Sequence, residues 1–135
     1  MPASPAKIRR FQVAFLKFID EKKIQDVHIY HHVMNYWSND RSEVSLQEIK
    51  EAITSLCNEK LILSKNNAHL SIGASGVPEE DQKNNAVCTI LEAGRKYVKM
   101  AELKKTIMNA LILLLIAAAL YSMWHYRKVL SYFFR

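Results

Sequence analysis

The pattern of apolar and polar residues separates an amphipathic N-terminal part from one continuous apolar run near the C-terminus. From Thr106 to Tyr126 there are 21 residues without Lys, Arg, Asp or Glu. A helix rises about 1.5 Å per residue, so a run of this length reaches roughly 31 Å, the thickness of a hydrocarbon core. Because Leu and Ile dominate the run and favour insertion, the pattern predicts a single transmembrane helix.

Basic and aromatic residues flank the run, as they commonly do at the ends of membrane-spanning helices. The membrane-flanking residues are Lys104, Lys105, Trp124, Tyr126, Arg127 and Lys128. We therefore expect a juxtamembrane and transmembrane helix over residues 101–126. The remaining residues, 127–135, should form a short basic-aromatic tail that lies in the membrane interface.

The sequence also indicates an orientation for this anchor. The first ten residues contain no uninterrupted apolar segment and do not resemble a secretory signal peptide. The distribution of Lys and Arg favours the same orientation, because five lie near the N-terminal side of the run and three lie beyond its C-terminal end. We expect a single-pass, tail-anchored membrane protein whose N-terminal domain is cytosolic.

Three amphipathic helices are predicted upstream of the anchor from apolar spacing and capping residues. The first begins after the N-cap Ser4 and runs to about Lys23. The second is expected to follow Asp26 as its N-cap. The third opens with the capping box at residues 45–48 and extends to about Glu59.

Shorter apolar segments follow these helices. Residues 61–63, 69–72 and 86–89 are predicted to be strands. Between them, residues 73–85 are polar and contain two Gly and one Pro, which predicts a mobile loop. Residues 89–92 (TILE) resemble a second capping box, opening a last helix that continues past Tyr126.

Charge is unevenly distributed along the chain. Residues 1–91 hold 11 basic and 11 acidic side chains, whereas residues 92–135 hold 8 basic and 2 acidic ones, which accounts for the net charge of +6. This basicity surrounds the apolar run, where it suits anionic lipid headgroups. The first helix nevertheless has a basic outer face, which is either solvated or in contact with acidic lipid or phosphate; its members are Lys7, Arg9, Arg10, Lys17, Lys22 and Lys23.

No pattern in the sequence points to catalysis or to a cofactor. Phosphate-binding loops, paired carboxylates and nucleophile elbows are absent, so we expect no enzyme activity and no small-molecule substrate. His28 and His32 could bind a metal from one helix face, with His31 nearby, and only Cys57, Cys88, His69 or a carboxylate could complete the site. Nothing in the spacing requires these further ligands, so exposed histidines are the favoured interpretation. Cys57 and Cys88 are expected to be buried free thiols in a reducing compartment.

The order helix, helix, turn, capped helix, strand, polar loop, strand, helix resembles the winged-helix family of helix-turn-helix domains. Residues 45–63 (SLQEIKEAITSLCNEKLIL) look like its recognition helix running into the first wing strand, and residues 89–98 (TILEAGRKYV) like the junction after the wing. The resemblance implies a mainly α fold, with an α+β winged-helix-like domain over residues 1–100 before the single transmembrane helix. Residues 64–85 are longer than a usual wing, which leaves the strand count open.

The resemblance also implies where a partner would bind. The recognition helix of the family can enter the DNA major groove, which would make Gln47, Lys50, Glu51 and Thr54 partner or DNA contacts. Acidic residues outnumber basic ones both on this helix and on the following loop, which disfavours phosphate contacts. The sequence therefore favours a membrane-anchored adaptor or accessory subunit that binds a protein partner or its own copies. A membrane-tethered DNA-binding transcriptional regulator is the alternative.

Overall fold

The computed structural model describes residues 3–40 and 44–134, in two compact units, Met1–Lys99 and Met100–Arg135. The described part is mainly helical, with a small antiparallel sheet and one long apolar C-terminal helix, which confirms these features of the predicted fold class. The elements are α1 (Pro5–Lys22), β1 (Val27–His28), α2 (Tyr30–Asp40), α3 (Leu46–Asn58), β2 (Ile62–Ser64), a 3₁₀ segment (Lys65–Ser71), α4 (Glu79–Asn85), β3 (Val87–Ile90) and α5 (Glu92–Phe133).

Helices α1 and α3 form where their capping residues predict them. The Ser4 side chain accepts a hydrogen bond from the Lys7 backbone N–H, and Pro5 occupies the first helical position. At α3, the Glu48 N–H donates to Ser45 Oγ at 3.2 Å, while Glu48 Oε1 accepts from the Ser45 N–H at 3.3 Å. This reciprocal pair satisfies two N–H groups that the helix start would otherwise leave without partners.

The core of the first unit lies mainly between α1, α3 and the sheet. Apolar side chains recur every three or four residues along both helices, so each helix turns one face inward. Fully buried side chains on these two helices are Phe11, Phe15, Leu16, Ile19, Ile49, Ile53 and Leu56. Each such side chain contributes roughly 1.5–3 kcal/mol when it leaves water, so this interface is the main hydrophobic contribution to the unit's stability.

The sheet has the order β1-β3-β2, and its first strand replaces the predicted start of the second helix. Val27 is buried and pairs with Cys88 on β3, so the chain is extended at this point and α2 begins only at Tyr30. Asp26 is therefore not an N-cap. Its Oδ1 instead accepts a hydrogen bond from Thr89 Oγ1 at 3.0 Å, a contact between residues that are distant in the sequence.

The predicted strand at residues 69–72 is not present, because the chain turns immediately after β2. Asn66 and Asn67 both have left-handed backbone angles, with φ of 55° and 53°. Asn tolerates this region better than most residues since its short side chain can hydrogen-bond locally. The two turns of the 3₁₀ segment bring His69 into the interior, where it is 1% exposed.

Part of the segment predicted to be a mobile loop, residues 73–85, is helical. Helix α4 covers Glu79–Asn85, and its Gln82 is only 7% exposed. Gln82 Oε1 accepts from the Gly73 N–H at 3.0 Å, and Nε2 donates to the Val77 carbonyl at 2.9 Å and to the Ala74 carbonyl at 3.4 Å. One buried amide therefore joins the preceding turns to α4, an interaction that polar composition does not predict.

The predicted capping box at residues 89–92 does not form, because Thr89 belongs to β3 and pairs with Leu63. Helix α5 begins at Glu92. The N–H of the preceding residue, Leu91, donates a hydrogen bond to the Leu61 carbonyl at 3.0 Å. Gly94 then passes close to the β2 end of the sheet. A Cβ atom at this position would clash with the Leu61 carbonyl oxygen, so the close approach requires glycine.

Helix α5 has 42 residues and is long and apolar enough to cross a membrane. Its most apolar stretch has no buried residue. The helix continues to Phe133, so most of the predicted interfacial tail is helical. These features confirm one C-terminal candidate membrane span, defined by length and composition.

We predict that Gln82→Ala will expose the turns between Gly73 and Pro78 to proteases. The change removes all three hydrogen bonds of the buried amide, and we expect the free energy of unfolding to fall by about 1–3 kcal/mol. Limited proteolysis of the detergent-solubilised chain, with cleavage sites read by mass spectrometry, measures the effect. Asn84→Ala, an exposed change on the same helix, is the matched control; equal cleavage of both variants would contradict the role of Gln82.

Candidate functional site

The predicted contact residues of α3 lie in different environments. Gln47 and Glu51 are exposed and are joined within the helix, where Gln47 Nε2 donates to Glu51 Oε1 at 3.3 Å. Lys50 is half-buried. Thr54 is also half-buried, and its hydroxyl donates to the Lys50 carbonyl at 3.0 Å. The structure thus leaves Gln47, Lys50 and Glu51 available on the outer surface of α3, whereas Thr54 takes part in internal contacts.

Thr54 also contacts a buried histidine that sequence analysis did not single out. His69 Nε2 lies 2.9 Å from Thr54 Oγ1, and His69 Nδ1 lies 2.6 Å from Ser64 Oγ. Since the Thr54 hydroxyl proton already points to a carbonyl, Nε2 carries the imidazole proton and Nδ1 accepts from Ser64. The ring therefore joins α3, β2 and the 3₁₀ segment through two hydrogen bonds.

A serine hydroxyl against an imidazole is also the geometry of nucleophilic catalysis, but this pair is closed to solvent. Ser64 is 7% exposed and His69 is 1% exposed, so a substrate has no path to the hydroxyl. Burial, together with the charge of Lys50, lowers the pKa of His69 and keeps its ring neutral. The arrangement acts as a structural connection.

Glu48 likewise has a structural role in addition to its capping box. Its Oε2 accepts a hydrogen bond from the Ala3 backbone N–H at 2.8 Å, which joins the start of the chain to α3. This bond, with those from Ser45, lowers the pKa of the Glu48 carboxyl. A substitution of Glu48 would disturb folding and binding together, so Glu51 is the better position at which to test the α3 surface.

The first turn of α4 places three acidic side chains, Glu79, Glu80 and Asp81, on the surface after the 3₁₀ segment. Lys83 forms an ion pair with Glu79 at 3.2 Å and lowers the pKa of that carboxyl. Glu80 and Asp81 have no ion pair within the part of the chain that the structure describes. The surface that corresponds to the predicted wing is therefore acidic.

A polar cleft of about 630 Å³ lies between the 3₁₀ segment and α4. Its wall contains the four exposed carboxamides of Asn66, Asn67, Asn84 and Asn85 and the ammonium of Lys65. Ser71 and apolar side chains complete the lining, and neutral amides rather than charges dominate its polar groups. We find no arrangement in it that selects one ligand class.

The predicted histidine pair does not lie on one helix. His28 is an exposed residue of β1, whereas His32 is on α2, where its ring stacks on Phe18 with centroids 4.2 Å apart. Burial lowers the pKa of His32. Across residues 3–40 and 44–134, no group of three or more His, Cys, Asp or Glu residues is placed to hold a metal ion.

Both cysteines are free thiols. Cys88 is fully buried, which raises its pKa to about 12, and Cys57 is half-buried, which also raises its pKa. The prediction of buried thiols is therefore confirmed for Cys88 and only partly confirmed for Cys57. Neither has the depressed pKa that marks a reactive cysteine.

The membrane-flanking residues all lie on α5. Lys104 and Lys105 precede its most apolar stretch, and at the other end the Lys128 ammonium lies 5.2 Å from the centre of the Trp124 ring. Tyr126 is exposed beside them. Aromatic and cationic side chains are thus neighbours at the end of the helix, an arrangement suited to the level of lipid headgroups.

Comparisons with protein-family models, curated proteins and solved structures find no match for this chain.

We predict that the first unit loses stability as the pH falls below about 6.5, the ordinary pKa of histidine. His69 and His32 have lowered pKa values in the folded chain, so the unfolded chain binds more protons as the pH falls through this range. Urea unfolding followed by circular dichroism between pH 7.5 and 5 measures the slope. His69→Gln should lower stability at neutral pH and flatten the slope, whereas Asn84→Ala, an exposed change without a titrating group, should leave the slope unchanged; a slope in His69→Gln identical to that of the wild type would refute the assignment.

Proposed function

We propose that this chain is a single-pass membrane-anchored interaction module with a cytosolic winged-helix-like domain. It would act as an adaptor or accessory subunit of a membrane-associated assembly, through binding rather than catalysis. The observation that carries this proposal is the exposed apolar stretch of α5, which has no buried residue. Because removing apolar surface from water is favourable, a lipid bilayer is the natural environment for this helix.

The cytosolic orientation rests on charge and on the cysteines. Five Lys or Arg residues lie near the N-terminal end of the apolar run and three beyond its C-terminal end, an excess typical of the cytoplasmic side. Cys57 and Cys88 are both unpaired, as is usual in a reducing compartment. Both observations favour a cytosolic N-terminal unit.

The topology of the sheet supports the winged-helix assignment. The sequential order α1, β1, α2, α3, β2, β3 ends in a three-stranded antiparallel sheet of order β1-β3-β2. Strands β2 and β3 would be the two wing strands, and β1, which the sequence pattern does not predict, adds a third strand beside β3. The segment between β2 and β3 would then be an enlarged wing that contains α4.

Surface charge favours a protein partner over DNA. On α3, Lys50 is accompanied by Glu48, Glu51 and Glu59, and Gln47 is hydrogen-bonded within the helix. The wing-like segment carries the acidic turn of α4. Lys and Arg contacts to phosphates supply essentially all non-specific DNA affinity, and these surfaces provide few of them.

A membrane-tethered DNA-binding regulator is the second candidate, and the same topology favours it. The exposed start of α3 is the part of a recognition helix that contacts base edges. Clustering in the membrane could compensate for weak binding by single domains, since linking sites can raise affinity by roughly 10²–10⁴-fold.

We predict that the N-terminal unit and the C-terminus lie on opposite sides of a membrane. In a Cys57→Ser background, the buried Cys88 thiol should not react, so a cysteine at Glu80 reports the first unit alone. An impermeant maleimide should label it only when the cytosolic face is open, and a cysteine after Arg135 only from the other face. Labelling of both from one side would rule out the single span, and carbonate extraction of the chain would rule out the anchor.

We predict that the full chain in detergent binds duplex DNA weakly and co-purifies with one stoichiometric membrane protein. A protein that neutralises several phosphates loses roughly 0.9 log unit of affinity per phosphate for each log unit of salt. Strong, selective and salt-dependent binding of DNA would support the regulator instead. Glu51→Lys reverses an exposed charge in the middle of α3 and should reduce partner recovery at least severalfold, whereas Glu59→Lys at the helix end should not.

A further inference from the structure

The outward face of α1 forms an open groove of about 540 Å³. Small apolar side chains lie along it, with cationic side chains among them; the lining residues are Ala6, Arg9, Arg10, Val13, Ala14 and Lys17. The opposite face of the same helix carries Phe11, Phe15 and Ile19, which are fully buried. One side of helix α1 therefore packs against the core, and its other side carries both apolar and cationic side chains.

The residues that line this groove carry positive charge only. Residues 5–19 contain four basic side chains and no acidic one, and Asp20 and Glu21 follow in the last turn of α1. Arg10 and Lys17 have no hydrogen-bond or ion-pair partner within residues 3–40 and 44–134. Two cations that flank apolar side chains on a helix surface and form no ion pair favour an anionic and partly apolar counterpart.

Arg9 shows where this face lies within the first unit. Its guanidinium is 4.8 Å from the centre of the Tyr97 ring, and its Nη1 donates to Gln12 Oε1 at 3.4 Å. Tyr97 is on α5, seven residues before Lys104. Even fully extended, seven residues reach about 25 Å, so only a short stretch of chain separates the residue that Arg9 contacts from the start of the apolar run.

We propose that the Ala6–Lys17 face of α1 binds the anionic surface of the bilayer that holds α5. Helices that lie at a membrane surface combine an apolar strip with flanking Lys and Arg, and they require anionic lipids for the electrostatic part of their affinity. This face has both components, and the tether presents it to the lipid at high local concentration. The proposal rests on the membrane anchoring proposed above and assigns a second, reversible contact to the first unit.

The occupant we assign is a lipid surface because the cations are distributed along the helix. Arg10 and Lys17 are seven positions apart, or roughly 10 Å along the axis, which suits several headgroups better than one phosphate. The apolar residues between them are short, so insertion is shallow. Attraction that depends on such exposed charges should weaken as salt shortens the Debye length from about 10 Å at 0.1 M to about 3 Å at 1 M.

The test uses the full chain reconstituted in vesicles, with a fluorophore on Ala6→Cys in the Cys57→Ser background. Neutral phosphatidylcholine vesicles are compared with vesicles that contain anionic phosphatidylserine, both with a nitroxide-labelled headgroup lipid as quencher. We expect strong quenching in anionic vesicles, little in neutral ones, and reversal in 1 M salt. Carbonate extraction and flotation of the same samples report separately whether α5 is inserted.

Arg10→Gln/Lys17→Gln is the diagnostic variant. Each basic residue near an anionic surface strengthens binding about fivefold, so the docked-to-undocked ratio should fall about 25-fold. Arg10→Lys/Lys17→Arg keeps both charges and should retain quenching. Lys60→Gln/Lys65→Gln removes two exposed charges outside the groove and is the matched control.

The outcomes separate the two proposals. Lipid docking is overturned, and the anchor left intact, if the inserted wild-type chain shows no quenching in anionic vesicles. The same conclusion follows if quenching is equally strong in neutral vesicles, or equally strong in the Arg10→Gln/Lys17→Gln variant. Extraction of the wild-type chain by carbonate overturns the anchor and the docking that rests on it. A fluorescence shift in lipid-free detergent that grows with protein concentration assigns the groove to a second copy of the chain and likewise overturns lipid docking.

Discussion

Strand β3 is hydrogen-bonded to β1 on one side and to β2 on the other, so it joins segments that are far apart in the chain. Val27 and Ser64 both pair with Cys88, which brings the turn after α1 and the segment after α3 to the same central residue. Helix α1 contacts β3 and α3, and its buried aromatic residues close the core against them. The fold of the first unit therefore depends on a short strand whose two neighbours both come from earlier in the chain and are separated from each other by α2 and α3.

The same strand leads directly into the second unit. Only Leu91 separates β3 from α5, and its N–H group donates to the Leu61 carbonyl. A helix that starts from a hydrogen-bonded strand has a defined beginning, while its later residues have no buried surface to stabilise them. The physical requirement that this apolar surface leave water is the basis for the proposed membrane anchor, and the proposed docking of the α1 groove would give the first unit its own contact with lipid.

Several polar residues in and around α3, including the predicted contact residue Thr54, stabilise the fold. Thr54 and Ser64 hold the two nitrogens of His69, and Glu48 accepts from Ser45 and Ala3. Buried or half-buried polar groups need such partners because an unsatisfied group costs about 1–3 kcal/mol. Of the four predicted contact residues on α3, Gln47, Lys50 and Glu51 remain at its surface, whereas Thr54 takes part in internal contacts.

The sequence by itself determined the features that arise within a few residues of each other. Apolar spacing and the caps at Ser4 and Ser45 locate α1 and α3, and the uncharged run identifies the candidate span, because helical hydrogen bonds and capping are local. Only the tertiary structure decided between strand, turn and helix at positions where contacts with residues distant in the sequence outweigh the local preference. Val27 is extended because it meets Cys88, Thr89 belongs to a strand because it meets Leu63, and α4 is held by Gln82, whose bonds depend on a turn that composition does not specify. Short segments have weak local preferences, so the pairing and burial available in the folded unit determine their conformation.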